Sequence, residues 1–167
     1  MNSIVIMGVA GCGKSSLGAV VAKATGLPLV EGDEHHSASN RVKMRSGVPL
    51  TDADREGWLA TLCDQLRAHT LGVVMTCSAL KRVYRTRLRH ASPDLRFVFM
   101  DIPIEQAQRR VAARAHSHIF PTTLVDSQFA TLESPVGEPG VLRVDAMAPL
   151  PQLQAEAAAW LTHQESA

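Results

Sequence analysis

The run from Gly8 to Ser15, GVAGCGKS, sets three glycines, a lysine and a hydroxyl at the spacing G-x-x-x-x-G-K-[ST]. A triphosphate needs many donors at close range. Gly8, Gly11 and Gly13 let the backbone approach phosphate oxygens with no side chain in the way. Their amides, with those of Val9, Ala10 and Cys12, can point inward, and a helix starting at Ser15 and Ser16 adds partial positive charge. Lys14 can bridge the outer phosphates and Ser15 can ligate Mg²⁺. The residues expected to hold nucleotide are therefore Gly8, Val9, Ala10, Gly11, Cys12, Gly13, Lys14, Ser15 and Ser16, with Ser15 on the metal. Cys12 is either a small filler or a thiol activated by the helix N-terminus.

Further along, Asp33 follows a second apolar run. A carboxylate there can orient, or take a proton from, a hydroxyl attacking the terminal phosphate. It can also cap the next helix. The stretch that follows is dense in polar groups, with His36, Lys43 and Arg55 able to hold a small polyhydroxy substrate. At Cys77 to Lys81, Ser78 can cap a helix on which Lys81 and Arg85, four apart, share a face toward the same cleft. Arg110 and Arg114 also share a face, ahead of a flap-like stretch. There they can neutralise charge on a transferring phosphoryl group.

These groups need a frame that gathers them. Apolar runs at 4–7, 27–31, 72–77, 95–100 and 141–144 read as strands. Helical patterns fall at 15–25, 36–45, 55–69, 81–90, 104–114, 121–132 and 150–161, the third capped by Asp52 or Asp54. Strand and helix in alternation predict an α/β fold with a mostly parallel sheet covered on both faces. Ligands in such sheets bind at the carboxyl ends of the strands, so the segments around Gly8, Asp33 and Ser78 should meet.

The 167 residues suit one domain, spanning 1–167, with an ordinary 46% hydrophobic content. A net charge of +1 gives no argument for nucleic acid or membrane surfaces. No apolar stretch approaches a membrane span, and no leader pattern precedes the first strand. Three cysteines without ligand spacing read as free thiols of a reducing compartment. A cytoplasmic protein is the expectation.

Taken together, several runs resemble the P-loop gluconate kinase family of bacterial type. They are Met7 to Ser15, then Gly32-Asp33 with His36, Asn40, Lys43-Met44, Gly47 and Pro49-Leu50. Asp52, Asp54-Arg55 and Trp58-Leu59 follow, then Cys77 to Lys81 with Tyr84-Arg85. Last are His118, Phe120, Ser127 to Phe129, Thr131 to Glu133 and Pro135, then Val144-Asp145 and Pro149-Leu150. The resemblance implies a nucleoside-monophosphate-kinase-like P-loop NTPase fold with a five-stranded parallel sheet and a small lid near 114–121. It also implies transfer of the ATP terminal phosphate to the 6-hydroxyl of D-gluconate, with Mg²⁺, by a homodimer. Adenine contacts would lie near 144–149. Ser37 departs from the family's proline, and Glu56-Gly57 from a pair ending in proline. The rival readings are a small P-loop kinase for shikimate or a nucleoside monophosphate, and a nucleotide-binding module without transfer activity.

Overall fold

The computed structural model describes residues 2–114 and 121–165. Its elements run β1 (Ile4–Met7), α1 (Lys14–Thr25), β2 (Leu29–Glu31), a 3-10 turn (Gly32–His35), α2 (Ala38–Arg45) and α3 (Asp52–Ala68). There follow β3 (Val74–Thr76), α4 (Arg82–Ala91), β4 (Arg96–Asp101), α5 (Ile104–Ala113), α6 (Thr123–Thr131), β5 (Val141–Asp145) and α7 (Leu150–Glu165). The strands form one sheet in the order β2-β3-β1-β4-β5, every pairing parallel. Ile6 lies opposite Thr76 on one side and Val98 on the other. The five-stranded parallel sheet expected from the sequence is therefore present.

Alternation along the strands explains why both faces are covered. Successive side chains of a strand point to opposite faces. Ile4 and Ile6 join one apolar cluster, and Val5 and Met7 the other. Val98 and Met100 against Phe97 and Phe99 repeat the division in β4. The first cluster takes Leu17 and Val21 from α1, Ala107 and Val111 from α5, and Leu153, Ala157 and Leu161 from α7. The second takes Trp58, Leu59, Leu62 and Leu66 from α3, and Tyr84 and Leu88 from α4. A strand buried on both faces has no polar alternation to show, which is why these runs read as uniformly apolar.

Helix starts differ from the expected ones for local chemical reasons. Asp33 does not cap α2; Ser37 does, its hydroxyl accepting from the Asn40 N–H at 3.1 Å. The residue that departs from the family's proline is thus the cap itself. Helix α3 begins three residues early because Thr51 caps it. The Thr51 hydroxyl accepts from the Asp54 N–H at 3.1 Å, and the Asp54 carboxylate accepts from the Thr51 N–H at 2.9 Å. That is a capping box, so Asp54 completes the cap that Thr51 opens and Asp52 takes no part in it. Ser78 caps nothing; α4 starts after Lys81 without a side-chain cap.

Two outcomes are expected. Gly57 stands exposed inside α3, with nothing within 4 Å of where a Cβ would sit. Gly57→Ala should stabilise the fold by about 1 kcal/mol and raise Tm by roughly 2–4 °C in a thermal melt. The Lys43 ammonium, followed by the Thr51 N–H, holds the Asp54 carboxyl down at about 2 from its ordinary 3.8. The stabilisation linked to this ionised cap is complete above 3.8 and is lost as pH falls through about 2. A carboxyl ¹³C titration of Asp54 reads that midpoint directly.

Candidate active site

The phosphate loop leaves β1 and turns into α1 at the carboxyl edge of the sheet. Gly8, Gly11 and Gly13 have φ of 147°, 82° and 98°. At Gly8 a Cβ would lie 2.7 Å from Cys12 Sγ and 2.9 Å from the Met100 carbonyl. No other residue fits there. Gly13 is the left-handed cap of α1. Lys14 Nζ donates to the carbonyls of Gly8 at 3.0 Å and Val9 at 3.2 Å, curled over the loop it serves. Cys12 is fully buried, and burial pushes its thiol up, against the opposing pull of Lys14. That environment suits the filler role and does not activate a thiolate.

A cleft of roughly 200 Å³ opens beside this loop. The loop and the start of α1 line it with Ala10, Gly11, Gly13, Lys14, Ser15 and Ser16. Asp33 and His36 enter after β2, Arg55 and Trp58 from α3, Thr76 from the end of β3 and Ser78 from the loop after it. Met44, Pro49 and Leu50 add an apolar wall, and Val111, Arg114, Leu124, Ser127 and Gln128 close the far side. Three segments distant in sequence meet here, as the parallel topology requires.

Asp33 is exposed, and its carboxylate makes no hydrogen bond to a described residue. His36 is buried, its ring stacked on Trp58 with centroids 4.3 Å apart and planes 15° from parallel. Trp58 Nε1 in turn donates to the Gly32 carbonyl at 2.8 Å, anchoring the stack to the turn that carries Asp33. Burial pulls the His36 pKa down; Asp33 acts the other way, and Arg55 and Arg41 add to the lowering.

Glu31 is the site residue that motif reading missed. Its Oε2 accepts from Ser15 Oγ at 3.0 Å and from Thr76 Oγ1 at 2.6 Å. Thr76 Oγ1 also accepts from the Gly32 N–H at 3.3 Å. A signal was available: Glu31 is the last residue of an apolar run, where a strand delivers its side chains to the carboxyl edge. Gln128 was missed as well. Its Oε1 accepts from the Ala10 N–H at 2.7 Å, tying α6 to the phosphate loop. The bond spans 118 positions, and no local pattern announces it.

Four expected site residues sit differently. Arg85 does not face the cleft. It is 0% exposed, and its guanidinium donates to the carbonyls of Ala79 at 2.8 Å, Leu80 at 3.2 Å and Glu133 at 2.9 Å. It also pairs with Glu138 at 2.6 Å. Burial alone would raise the Glu138 carboxyl; Arg85 and Arg89 outweigh it and hold the group low. Arg85 thus buckles the 79–80 loop to the 133–138 loop, and Ala79 holds a left-handed φ of 47° in that grip. Lys81 precedes α4 and so shares no helix face with Arg85; it pairs with Asp52 at 2.9 Å outside the lining. Tyr84 Oη donates to the same carboxylate and accepts from Arg55 Nη1 at 3.1 Å. Lys43 is likewise held by Asp54 at 2.8 Å, outside the lining. Arg110 lies within α5 and donates to the carbonyls of Gly11, Cys12 and Ala146 at 3.3, 3.2 and 3.1 Å. It braces the phosphate loop against the turn after β5, while Arg114, the other member of that pair, lines the cleft together with Arg55. Of the 114–121 lid, residues 115–120 lie outside the described residues, His118 and Phe120 among them.

A glycine loop at a helix N-terminus, under a parallel sheet with a carboxylate across the cleft, defines a P-loop phosphotransferase. Residues 4–139 match the family described as AAA domain. The chain is 42% identical over 144 residues to the gluconokinase of Gluconobacter oxydans (strain 621H), covering 84% of this chain and 80% of that one. The crystal structure of a gluconokinase from Sinorhizobium meliloti 1021 superposes with a TM-score of 0.89 at 43% identity, over 98% of this chain and 93% of that one. The chain belongs to the gluconokinase family. With the shikimate kinase of Aquifex aeolicus vf5 it shares the fold alone, at a TM-score of 0.62 and 17% identity.

Removing Arg85 would strand Glu138 as a buried, weakly compensated charge. Arg85→Ala should cost about 3–5 kcal/mol in denaturant unfolding. A substrate-binding arginine would instead raise KM with stability intact.

Proposed function

We propose that the chain transfers the terminal phosphoryl group of ATP to the 6-hydroxyl of D-gluconate, giving 6-phospho-D-gluconate and ADP. The observation that carries this reading is the Asp33 carboxylate, which makes no hydrogen bond to a described residue and lines one cleft with the Lys14–Ser15 end of the phosphate loop. The cleft's polar lining suits a small hydroxylated acceptor. Among the described residues, Trp58 is the one Phe, Tyr or Trp in its lining, and His36 stacks on it, so a nucleobase would find little to stack on there.

ATP lies along Gly8 to Ser16, its phosphates on the loop amides other than those of Ala10 and Cys12, which Gln128 Oε1 and the Val9 carbonyl already accept. Lys14 exchanges the Gly8 and Val9 carbonyls for the outer phosphates. Asp33 takes the proton of the 6-hydroxyl as that oxygen attacks the terminal phosphorus. The bond from that phosphorus to the bridging oxygen breaks, and ADP leaves. Arg55 and His36 meet the acceptor's oxygens. Arg114 stands where it can neutralise charge on the transferring group.

The residues around Ser15 fit Mg²⁺. Ser15 gives its hydrogen to Glu31, so its oxygen lone pairs are free, and Thr76 and Glu31 complete a hard, oxygen-only surround. Bound there, Mg²⁺ would screen charge on the outer phosphates. The family resemblance also supports a homodimer, a lid over 114–121 and a cytoplasmic protein acting as one kinase domain. Light scattering of the purified chain reads the first of these.

ADP release with Mg²⁺-ATP should depend on D-gluconate and stay at background with glucose, shikimate, AMP or no acceptor. Release driven by shikimate or AMP would move the acceptor, and release without any acceptor would remove it. No release, with ATP bound, would make the chain a nucleotide-binding module. Asp33→Asn should lower kcat by about two to four orders of magnitude; near-normal kcat would take the base role from Asp33.

A further inference from the structure

Asn40 sits 4% exposed behind His36. Its Nδ2 lies 2.8 Å from the Asp54 carbonyl oxygen and 3.3 Å from His36 Nδ1. A carbonyl oxygen has no hydrogen to give. The amide atom at 2.8 Å from it must therefore be nitrogen, since the flipped amide would press two oxygens together. One amide hydrogen goes to Asp54 and leaves the other for His36 Nδ1, which must accept it. A neutral imidazole that accepts at Nδ1 carries its proton at Nε2. His36 Nε2 makes no hydrogen bond to a described residue, and the ring lines the cleft.

We propose that Asn40 is a positioning residue that locks His36 as the neutral Nε2–H tautomer, so that the ring meets a polyol acceptor as a hydrogen-bond donor and not as a cation. The tautomer follows from the protein's own groups; its use toward a polyol rests on the gluconate reading. The surrounding charges are Asp33 on the 3-10 turn, Arg41 on α2 and Arg55 on α3. Arg41 Nε also donates to the His36 carbonyl at 3.2 Å. Asp54 is neutralised by Lys43 and turns only its carbonyl to Asn40. Burial and two arginines oppose a charged ring, and Asp33 alone favours one. A cation at His36 would draw the Asp33 carboxylate away from the hydroxyl it serves.

Long-range ¹H–¹⁵N spectra of the His36 ring test the lock. In the wild-type chain at neutral pH, Nδ1 should be unprotonated and Nε2 protonated, with titration below the ordinary 6.5. Asn40→Asp puts a carboxylate against Nδ1 and an oxygen against the Asp54 carbonyl, so its fold is first checked by a thermal melt. Asn40→Ala, which removes the donor without that clash, should leave the ring a mixture of tautomers. In Asn40→Asp the proton should move to Nδ1 and the titration should rise. The KM for D-gluconate should rise about tenfold, with the KM for ATP unchanged. A new step should enter the pH profile of kcat/KM. His36→Gln, whose amide can donate from the Nε2 position, should raise the acceptor KM less than His36→Ala does and show a flat profile in the histidine range. A wild-type ring protonated at Nδ1, or as a mixture, overturns the lock whatever the acceptor. An Asn40→Asp chain with unchanged acceptor KM and pH profile overturns its role in binding. If another acceptor drives ADP release, the KM arm is read with that acceptor, and the spectrum still decides the tautomer.

Discussion

A loop that binds phosphate must offer bare backbone N–H groups, and bare backbone must be held from outside. That constraint organises this molecule. At Gly8 the loop runs so close to Cys12 and to the Met100 carbonyl of β4 that no Cβ fits. At Gly11 a Cβ would lie 2.9 Å from the Ala107 carbonyl of α5. The grip comes from elements made much later in the chain. Gln128 of α6 accepts the Ala10 N–H, and Arg110 of α5 collects the Gly11 and Cys12 carbonyls. The order of the sheet makes this possible, because β4 and its following helix lie directly beside β1.

The two sides of the cleft are built from different materials. The loop side is backbone, and its shape is set by glycine and close packing. The side proposed to hold the acceptor is made of side chains, and these are cross-braced. Lys43 pairs with Asp54, Lys81 with Asp52, and Tyr84 bridges Asp52 to Arg55. Exposed pairs of this kind add little stability each. Their effect is positional, since they tie α2 and the start of α4 to the first turn of α3. Arg85 works on the same principle at greater depth. It holds the loop after β3 from behind, so that Ser78 reaches the cleft while the arginine does not.

His36 and Trp58 join the two sides. Their stack is anchored through Trp58 to the Gly32 carbonyl, at a point where a Cβ on Gly32 would lie 2.1 Å from the Thr76 carbonyl. Strands β2 and β3 are thus pressed together where Glu31 collects the Ser15 and Thr76 hydroxyls. The carboxylate beside Ser15, the Asp33 turn and the aromatic wall therefore rest on one close approach of backbone.

The sequence by itself determined the phosphate loop, because its chemistry is local. Eight consecutive residues carry the glycines, the lysine and the hydroxyl, and a strand and a helix flank them. It also determined the parallel sheet, since buried strands between amphipathic helices have few other ways to pack. Asp33, His36, Arg55 and Arg114, which line the cleft, were legible as candidates, the first two because they follow a strand, Arg55 as a charge in a polar stretch and Arg114 as an arginine ahead of a flap-like one. Arginine and lysine roles were not legible. A guanidinium can bind substrate or collect carbonyls, and spacing does not distinguish the two. Only the tertiary structure decided that Arg85 and Arg110 collect carbonyls, because Glu138, Glu133 and Ala146 come from loops far along the chain. It alone brought Gln128 to Ala10, and Asn40 between Asp54 and His36. Such contacts depend on which elements pack together, and packing is a property of the whole fold.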